Sequence, residues 1–457
     1  MKRFTTGHPA LRALSLLFLF SCFTATSAQA ANKYVRAGAT GAANGSDWTN
    51  AYTSLPKTLT RGDTYYIANG TYGNYTFNTA TSGSTLITIK KATIADHGTS
   101  TGWSDAFGDG QALFATTANL TAAWYFATSY WLVDGQTGGG PGSWTSGFGF
   151  KVQRGTGESV IVIGNLLGNT PSYITLRHVE AQGGGPDGAG GQDPNDIFGI
   201  YTAGSSDITV SYAYFYDAGR GIFFNRGSNI TFEYIYTGYY ESTPEQHAAM
   251  APIWSTQPQE PRPSNVTFRY NIFTHVEGTG GLIMDGDGLY VYGNMFYRPT
   301  RDTWDQGNGI IGTWKVNTLT QTKVHNNTFV NVGTSPVFGQ AFTNPTTGNE
   351  AYNNLHYNTG NYGGLGTLFP TYDYNHYVDT TSPTETNKTT GTGDPFVNYV
   401  GLDFRLRAAT AAGMTLAPPY DRDMLGNLRG SDGTWDRGAI EFGGAIMPKA
   451  PTNLSVQ

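Results

Sequence analysis

Between Arg220 and Lys315 the chain gathers most of the residue types that do chemistry: Arg220, Asn225, Arg226, His247, Asp285, Asp287, Asp305 and Lys315. The cluster stands out because only 13% of the chain is charged, against roughly 25% in an ordinary globular protein. Two reactions suit it. In a β-elimination a carboxylate is neutralised so that the neighbouring C–H becomes acidic, and a base removes that proton; Arg226, Lys315 or His247 could be the base. Asp285 and Asp287 could hold a Ca²⁺ or steer the substrate, although Asp285-Gly-Asp287 lacks the full calcium-loop pattern. Hydrolysis would use two carboxylates facing each other across a groove, and Asp285 with Asp305 is the best pair. The plain alternative is that Arg–Asp pairs here only tie neighbouring elements together.

Other chemistries are poorly supported. The single cysteine is Cys22, and His247, His275 and His325 show no ligand spacing, which argues against zinc. No Gly-x-Ser-x-Gly elbow or P-loop occurs. Arg61-Gly62-Asp63 matches an integrin ligand, but it precedes Thr64-Tyr-Tyr-Ile67 and reads as a turn into a strand. The sequons Asn229-Ile-Thr231 and Asn265-Val-Thr267 fall on repeat positions, where stacked asparagine side chains at a turn explain them better than glycosylation.

The elements that must carry these residues repeat. Ser206-Asp-Ile-Thr-Val210, Ser228-Asn-Ile-Thr-Phe232 and Ser264-Asn-Val-Thr-Phe268 are copies of one turn-and-strand unit, with Tyr173-Ile-Thr-Leu176 a fainter one. A second series runs Asn271-Ile-Phe273, Asn294-Met-Phe296, Asn327-Thr-Phe329, Asn354-Leu-His356 and Asn375-His-Tyr377. The unit is about 22 residues with insertions, and strands this short bury a face only when stacked as coils about 4.8 Å apart. A third series, Gly199-Ile-Tyr201, Gly221-Ile-Phe-Phe224, Pro252-Ile-Trp254, Gly281-Leu-Ile-Met284 and Gly309-Ile-Ile311, precedes the first. With Ile200, Ile222, Ile253, Leu282 and Ile310 inward, Tyr201, Phe223, Trp254, Ile283 and Ile311 form one outward column. That aromatic shelf could stack sugar rings, with Asn225 and Arg220 beside it and the glycine-rich column Gly199, Gly221, Pro252, Gly281 and Gly309 forming a groove. The reverse parity would make the aromatics core.

Lys2, Arg3 and Arg12, the apolar run Leu14 to Phe20 and the small-x-small site Ala28-Gln29-Ala30 read as a signal peptide over residues 1–30, with lipid attachment at Cys22 as a weaker rival. The mature chain then has 24 cationic against 33 acidic residues, a net charge of −9, and no cysteine. Without a basic stripe, nucleic acid and anionic membranes are not expected partners. No later apolar run is long enough to span a bilayer.

Tyr34-Val-Arg-Ala-Gly38, Ser46-Asp-Trp-Thr-Asn-Ala-Tyr52 and Arg61-Gly-Asp-Thr-Tyr-Tyr-Ile67, with Asp403-Phe-Arg-Leu406 and Trp435-Asp-Arg-Gly-Ala-Ile-Glu441 at the other end, resemble the opening and closing modules of secreted pectate-lyase-like proteins. The resemblance implies an all-β, right-handed parallel β-helix, with a short helix plugging the first coil. The expected layout is a domain over 31–444, with an N-terminal cap region at 31–72 and a closing module at 400–444, then a linker or truncated tail at 445–457. Asp421, Asp423, Asp432, Asp436 and Arg437 would form a hydrogen-bonded cap. The expected function is an exported or periplasmic polysaccharide lyase acting on an acidic polymer as a monomer, with Ca²⁺ as the one cofactor considered. The alternatives are a glycoside hydrolase of the same fold, or a non-catalytic glycan-binding or structural protein. In such relatives the segment around His247 is associated with a His-x-Glu pattern; here the third position is Ala249.

Overall fold

Short strands with inward Ile, Val and Phe alternating with outward polar residues wind into parallel coils. The computed structural model describes residues 1–2, 30–116, 122–154, 159–164, 168–184, 196–200, 204–224, 226–240, 249–252, 261–274, 280–299, 309–313, 318–332, 337–339 and 347–444. One coil consists of Ser228–Glu233 on a first face, Tyr236–Tyr240 on a second and Ala249–Pro252 on a third. The next coil, Ser264–Arg269, Ile272–Thr274 and Gly280–Met284, pairs with it in parallel on every face. The first and second faces hydrogen-bond as one 23-stranded sheet and the third as an 8-stranded one, so the chain is a parallel β-helix. Among the described residues no helix is long and apolar enough to cross a membrane.

The corner between the first and second faces explains why these two count as one sheet. From the coil of His178 onward a single residue in the left-handed region makes this turn: His178, Tyr212, Tyr234, Tyr270, Asn326 and Asn353 all have φ between 51° and 59°. That conformation strains a non-glycine residue by about 1–3 kcal/mol. Part of the strain is offset by stacking of successive rings, with centroids 5.1 Å apart for His178–Tyr212 and 4.9 Å for Tyr212–Tyr234.

Inside the second face two ladders run along the axis. Asn271, Asn294, Asn327, Asn354 and Asn375 are buried, and each of the first four donates its backbone N–H and its side-chain amide to the Oδ1 of the next, at 2.8–3.1 Å. Glu385 ends the row by accepting both donors of Asn375 and the Tyr377 hydroxyl. Beside it Phe273, Phe296, Phe329, His356 and Tyr377 stack nearly parallel at 4.8–5.0 Å. The turn asparagines stack on the outside too, Asn265 donating to Asn229 at 2.7 Å.

On the third face the structure corrects the expected column. Phe198, not Ile200, lies beside Ile222, and Ile200 lies beside Phe224. Leu282 pairs with Ile311, which is fully buried core. The outward neighbours are therefore Gly199, Phe223, Ile283 and Gly312, so Phe223 and Ile283 share a column with glycines rather than with Ile311. Tyr201 and Trp254 lie outside the described residues. The slip arises at the following corner: ten positions separate Phe198 from Ile208, but only eight separate Ile222 from Ile230.

The ends are closed differently. Residues 36–63 form turns and a bridge rather than the expected helix, because Gly38, Gly45, Pro56 and the Asp47–Asn50 hydrogen bonds favour turns. Leu55 and Leu59 nonetheless join the core, and Trp48 packs against Tyr34 and Trp103. Arg61 binds the carbonyls of Thr79, Ala80 and Tyr130, fixing the Arg-Gly-Asp segment as a turn. At the C-terminal end Phe396–Asn398 and Asp403–Leu406 form an antiparallel pair. Phe396, Phe404, Met424 and Ile440 pack on Tyr236, Ile272, Met295 and Val330, covering the outside of the second face. Arg437 binds the carbonyls of Asn375, Asn387 and Ala412, and Asp423 and Asp436 are fully buried and hydrogen-bonded.

Candidate functional site

Of the residues expected to carry chemistry, His247, Asp305, Lys315, Asn225, Tyr201 and Trp254 lie outside the described residues. Arg220 is bound to Asp196 at 2.6 and 3.3 Å and lies over the Phe223 ring at 4.5 Å. This ties adjacent coils together. Arg226 lies half-buried in the bend after that strand. Asp285 is buried, accepts the Thr318 N–H at 2.9 Å and has the Arg262 guanidinium 3.6 Å away. Asp287 is exposed and accepts the Thr320 hydroxyl at 2.7 Å. The two carboxylates thus have separate partners, and a guanidinium beside Asp285 opposes a cation there. Among the described residues no three His, Cys, Asp or Glu are grouped to hold a metal.

The structure assembles a different cluster on the second face, in the half of the chain where that face is not covered by the closing module. Phe150, Val152, Val179, Ala181, Ala213 and Phe215 point inward. The alternate positions Leu113, Lys151, Glu180 and Tyr214 therefore line one outward column, with Gln153, Gln182 and Tyr216 in the next. Lys151 Nζ lies 2.7 Å from Glu180 and donates to the Tyr216 hydroxyl at 3.1 Å. Tyr216 and Gln111 donate to Glu180 at 2.8 and 2.9 Å. Burial alone would raise the Glu180 carboxyl, but hydrogen bonds from Lys151, Gln111 and Tyr216 and the Lys151 charge hold it below the usual range. Burial and the neighbouring carboxylate push the Tyr216 phenol up, so it stays protonated.

Two insertions, 92–111 and 135–149, rise from the first-to-second corner and enclose an open pocket of about 610 Å³ beside this cluster. Its wall includes Lys91, Asp109, Gln111, Phe148 and Glu180. Lys91 ends the strand Ile87–Lys91, and at 1% exposure it is almost wholly buried. Its ammonium donates to Asn69 Oδ1 at 3.0 Å and to the Ala92 carbonyl, leaving its third N–H direction without a described partner. Desolvation lowers it to about 8, against a partial restoring effect of Asp109. Asn69 in turn donates to Asp109 at 2.6 Å, tying the lysine to the pocket rim.

Further along the same face, the 135–149 insertion crosses the tyrosine corner at Gly139, where a Cβ would meet the Tyr212 carbonyl at 2.6 Å. Its tip, with Ser143 and Trp144, meets Leu402, Phe404, Arg405 and Met424 of the closing module around a second pocket of about 380 Å³.

Residues 198–365 match a family model described as a right handed beta helix region. The chain is a right-handed parallel β-helix. Among solved structures it is similar to pectate lyase Pel9A, at 14% identity and a TM-score of 0.50, over 91% of this chain and 97% of that one. Weaker similarities are to an alginate lyase from Paenibacillus sp. str. FPU-7 (12% identity, TM-score 0.27, 73% of this chain and 92% of that one) and a PL6 family polysaccharide lyase from Pseudopedobacter saltans (13%, 0.33, 79% and 94%). At these identities the likeness concerns the fold. No curated protein matches the sequence significantly.

Proposed function

We propose that this chain is an exported enzyme that cleaves an acidic polysaccharide by β-elimination in the Lys91–Glu180 pocket. The observation that carries this reading is Lys91, a pocket-wall lysine brought by burial to about 8, so that part of it is free amine near neutral pH. The amine takes the C5 proton of a bound uronate, a C4–C5 double bond forms, and the C4–O bond breaks. The departing oxygen accepts a proton from Tyr216, the protonated donor of the cluster. Lys151 supplies the positive charge that neutralises the uronate carboxylate and makes the C5 proton acidic.

Incubation with pectate, alginate and a glycosaminoglycan should produce, on one of them, the ultraviolet absorbance of an unsaturated uronic end. Its kcat/KM should rise with pH up to about 8, where Lys91 loses its proton. Lys91→Met should abolish the signal and raise Tm. Below about 8 the folded protein holds an ammonium whose burial costs about 3 kcal/mol, a cost relieved only as pH rises from about 8 toward the ordinary lysine value. Reducing ends without absorbance would indicate hydrolysis, and full turnover by Lys91→Met would remove Lys91 from the chemistry.

A further inference from the structure

The second pocket lies on the same face as the first and shares the 135–149 insertion with it: Thr137 and Phe148 line one, Ser143 and Trp144 the other. The column beneath them runs Glu180, Tyr214, Tyr236, Ile272; the closing module covers its last two members, and the second pocket lies over it between that module and the insertion tip. Three rungs separate Glu180 from Ile272, which lines the second pocket, a distance of about 14 Å along the axis. A polymer that leaves the first pocket along the axis and rises onto the closing module therefore passes the second.

The second pocket also has suitable chemistry. Trp144 is only partly buried against the tyrosine cluster and offers an aromatic surface. Arg405 binds Asp403 through Nε at 2.8 Å and through Nη2 at 2.6 Å. That bidentate pair fixes the guanidinium plane, while the side chain stays 43% exposed and no described bond uses Nη1. A planar cation held with one edge free suits a carboxylate, and an aromatic face beside it suits the C–H side of a sugar ring.

We propose that Trp144 and Arg405 form a distal subsite that holds a second uronate of the same polysaccharide chain, about three coils from the bond that is cut. The proposal rests on the lyase reading for its substrate class, but the site itself is a binding site. It explains why a closing module that only had to cover apolar strands also presents an exposed, oriented arginine toward the insertion. The polymer then spans two parts of the chain far apart in sequence, and its length becomes part of recognition.

The test compares Trp144→Ala and Arg405→Gln with the parent protein on uronate oligomers of increasing length, drawn from whichever polymer the parent cleaves. The loss of kcat/KM should grow with substrate length, reaching about tenfold on long chains, as expected when a charge-assisted contact is removed, and staying small on trimers. An equal loss at every length, or none, overturns the subsite. Arg405→Lys controls for folding, because it keeps the charge and the Asp403 contact but loses the fork. It should fall between the parent and Arg405→Gln. Affinity electrophoresis of Lys91→Met through gels containing pectate or alginate separates the two readings. If the parent cleaves nothing but Lys91→Met is retarded, and Trp144→Ala or Arg405→Gln on that background relieves the retardation, the subsite stands without the lyase. If the parent cleaves and neither substitution changes retardation or length dependence, the lyase stands without the subsite.

Discussion

Lys91 and His356 are both pushed toward their neutral forms by burial, Lys91 in a pocket wall and His356 inside the core. His356 takes the place of a phenylalanine in the aromatic stack, between Phe329 and Tyr377. Neither ring nitrogen has a hydrogen-bond partner, and burial lowers it to about 3. A histidine whose folded value lies below its unfolded one contributes stability that is intact above the unfolded value of 6.5 and is lost as pH falls toward about 3. His356→Phe should therefore flatten the pH dependence of Tm between pH 6 and 4, although His325, also lowered to about 3, keeps part of it. At pH 7 the same change should add about 1–3 kcal/mol by removing an unpaired buried N–H. Urea denaturation at both pH values would measure both effects, and a loss of stability at pH 7 would mean that the imidazole has a role beyond filling the stack.

At the scale of the strands, one residue type occupies the repeat in two environments. Asn294 is buried and its side chain makes four hydrogen bonds: it accepts two from Asn271 and donates to Asn327 and to the Phe268 carbonyl. Asn294→Ala should cost about 3–5 kcal/mol, because it leaves buried backbone and amide groups unpaired. Asn229→Ala, at an exposed turn of the same repeat, should cost only about 1 kcal/mol, from the left-handed φ of 55° that asparagine tolerates better than alanine and the solvent-exposed bond from Asn265. Equal costs would show that the buried ladder is not what holds these coils. The repeat that sets this contrast was legible in the sequence, since each Asn-x-Phe copy occupies the same place in its coil. The third-face register was not: Gly199-Ile200 and Gly221-Ile222 look equivalent because an isoleucine follows each eight positions later, and nothing in the residue types shows that one corner is two residues longer. The Lys91–Glu180 cluster was also hidden, because it joins single residues from successive coils with two non-repeating insertions. The only signals available were a lysine ending the Ile87–Lys91 alternation and a Lys151 and Glu180 facing outward from apolar strands.

Taken as a whole, the molecule is a column whose C-terminal part is wrapped by a segment that is not itself a coil. A chain ending at residue 395 would lose Phe396, Phe404, Met424 and Ile440, which cover Tyr236, Ile272, Met295 and Val330, and would lose the Arg437 bonds to the last coils. Such a chain should aggregate, as uncovered apolar surface and strand edges do, and light scattering during refolding would detect it. A truncated chain that stays soluble with an unchanged Tm would show that the segment is dispensable to the column and serves the face it covers. The asparagine ladder has a separate consequence. Every amide in it points the same way, so the row has a polarity, with hydrogen-bond donors emerging only at Asn375. An additional coil bearing an asparagine at the matching position could be spliced anywhere within the row, taking up its neighbour's donors and passing on its own. At Glu385 the row itself ends, because a carboxylate accepts bonds and has none to pass along. The number of coils can therefore vary by duplication within the row, while a single acidic side chain ends the run of amides.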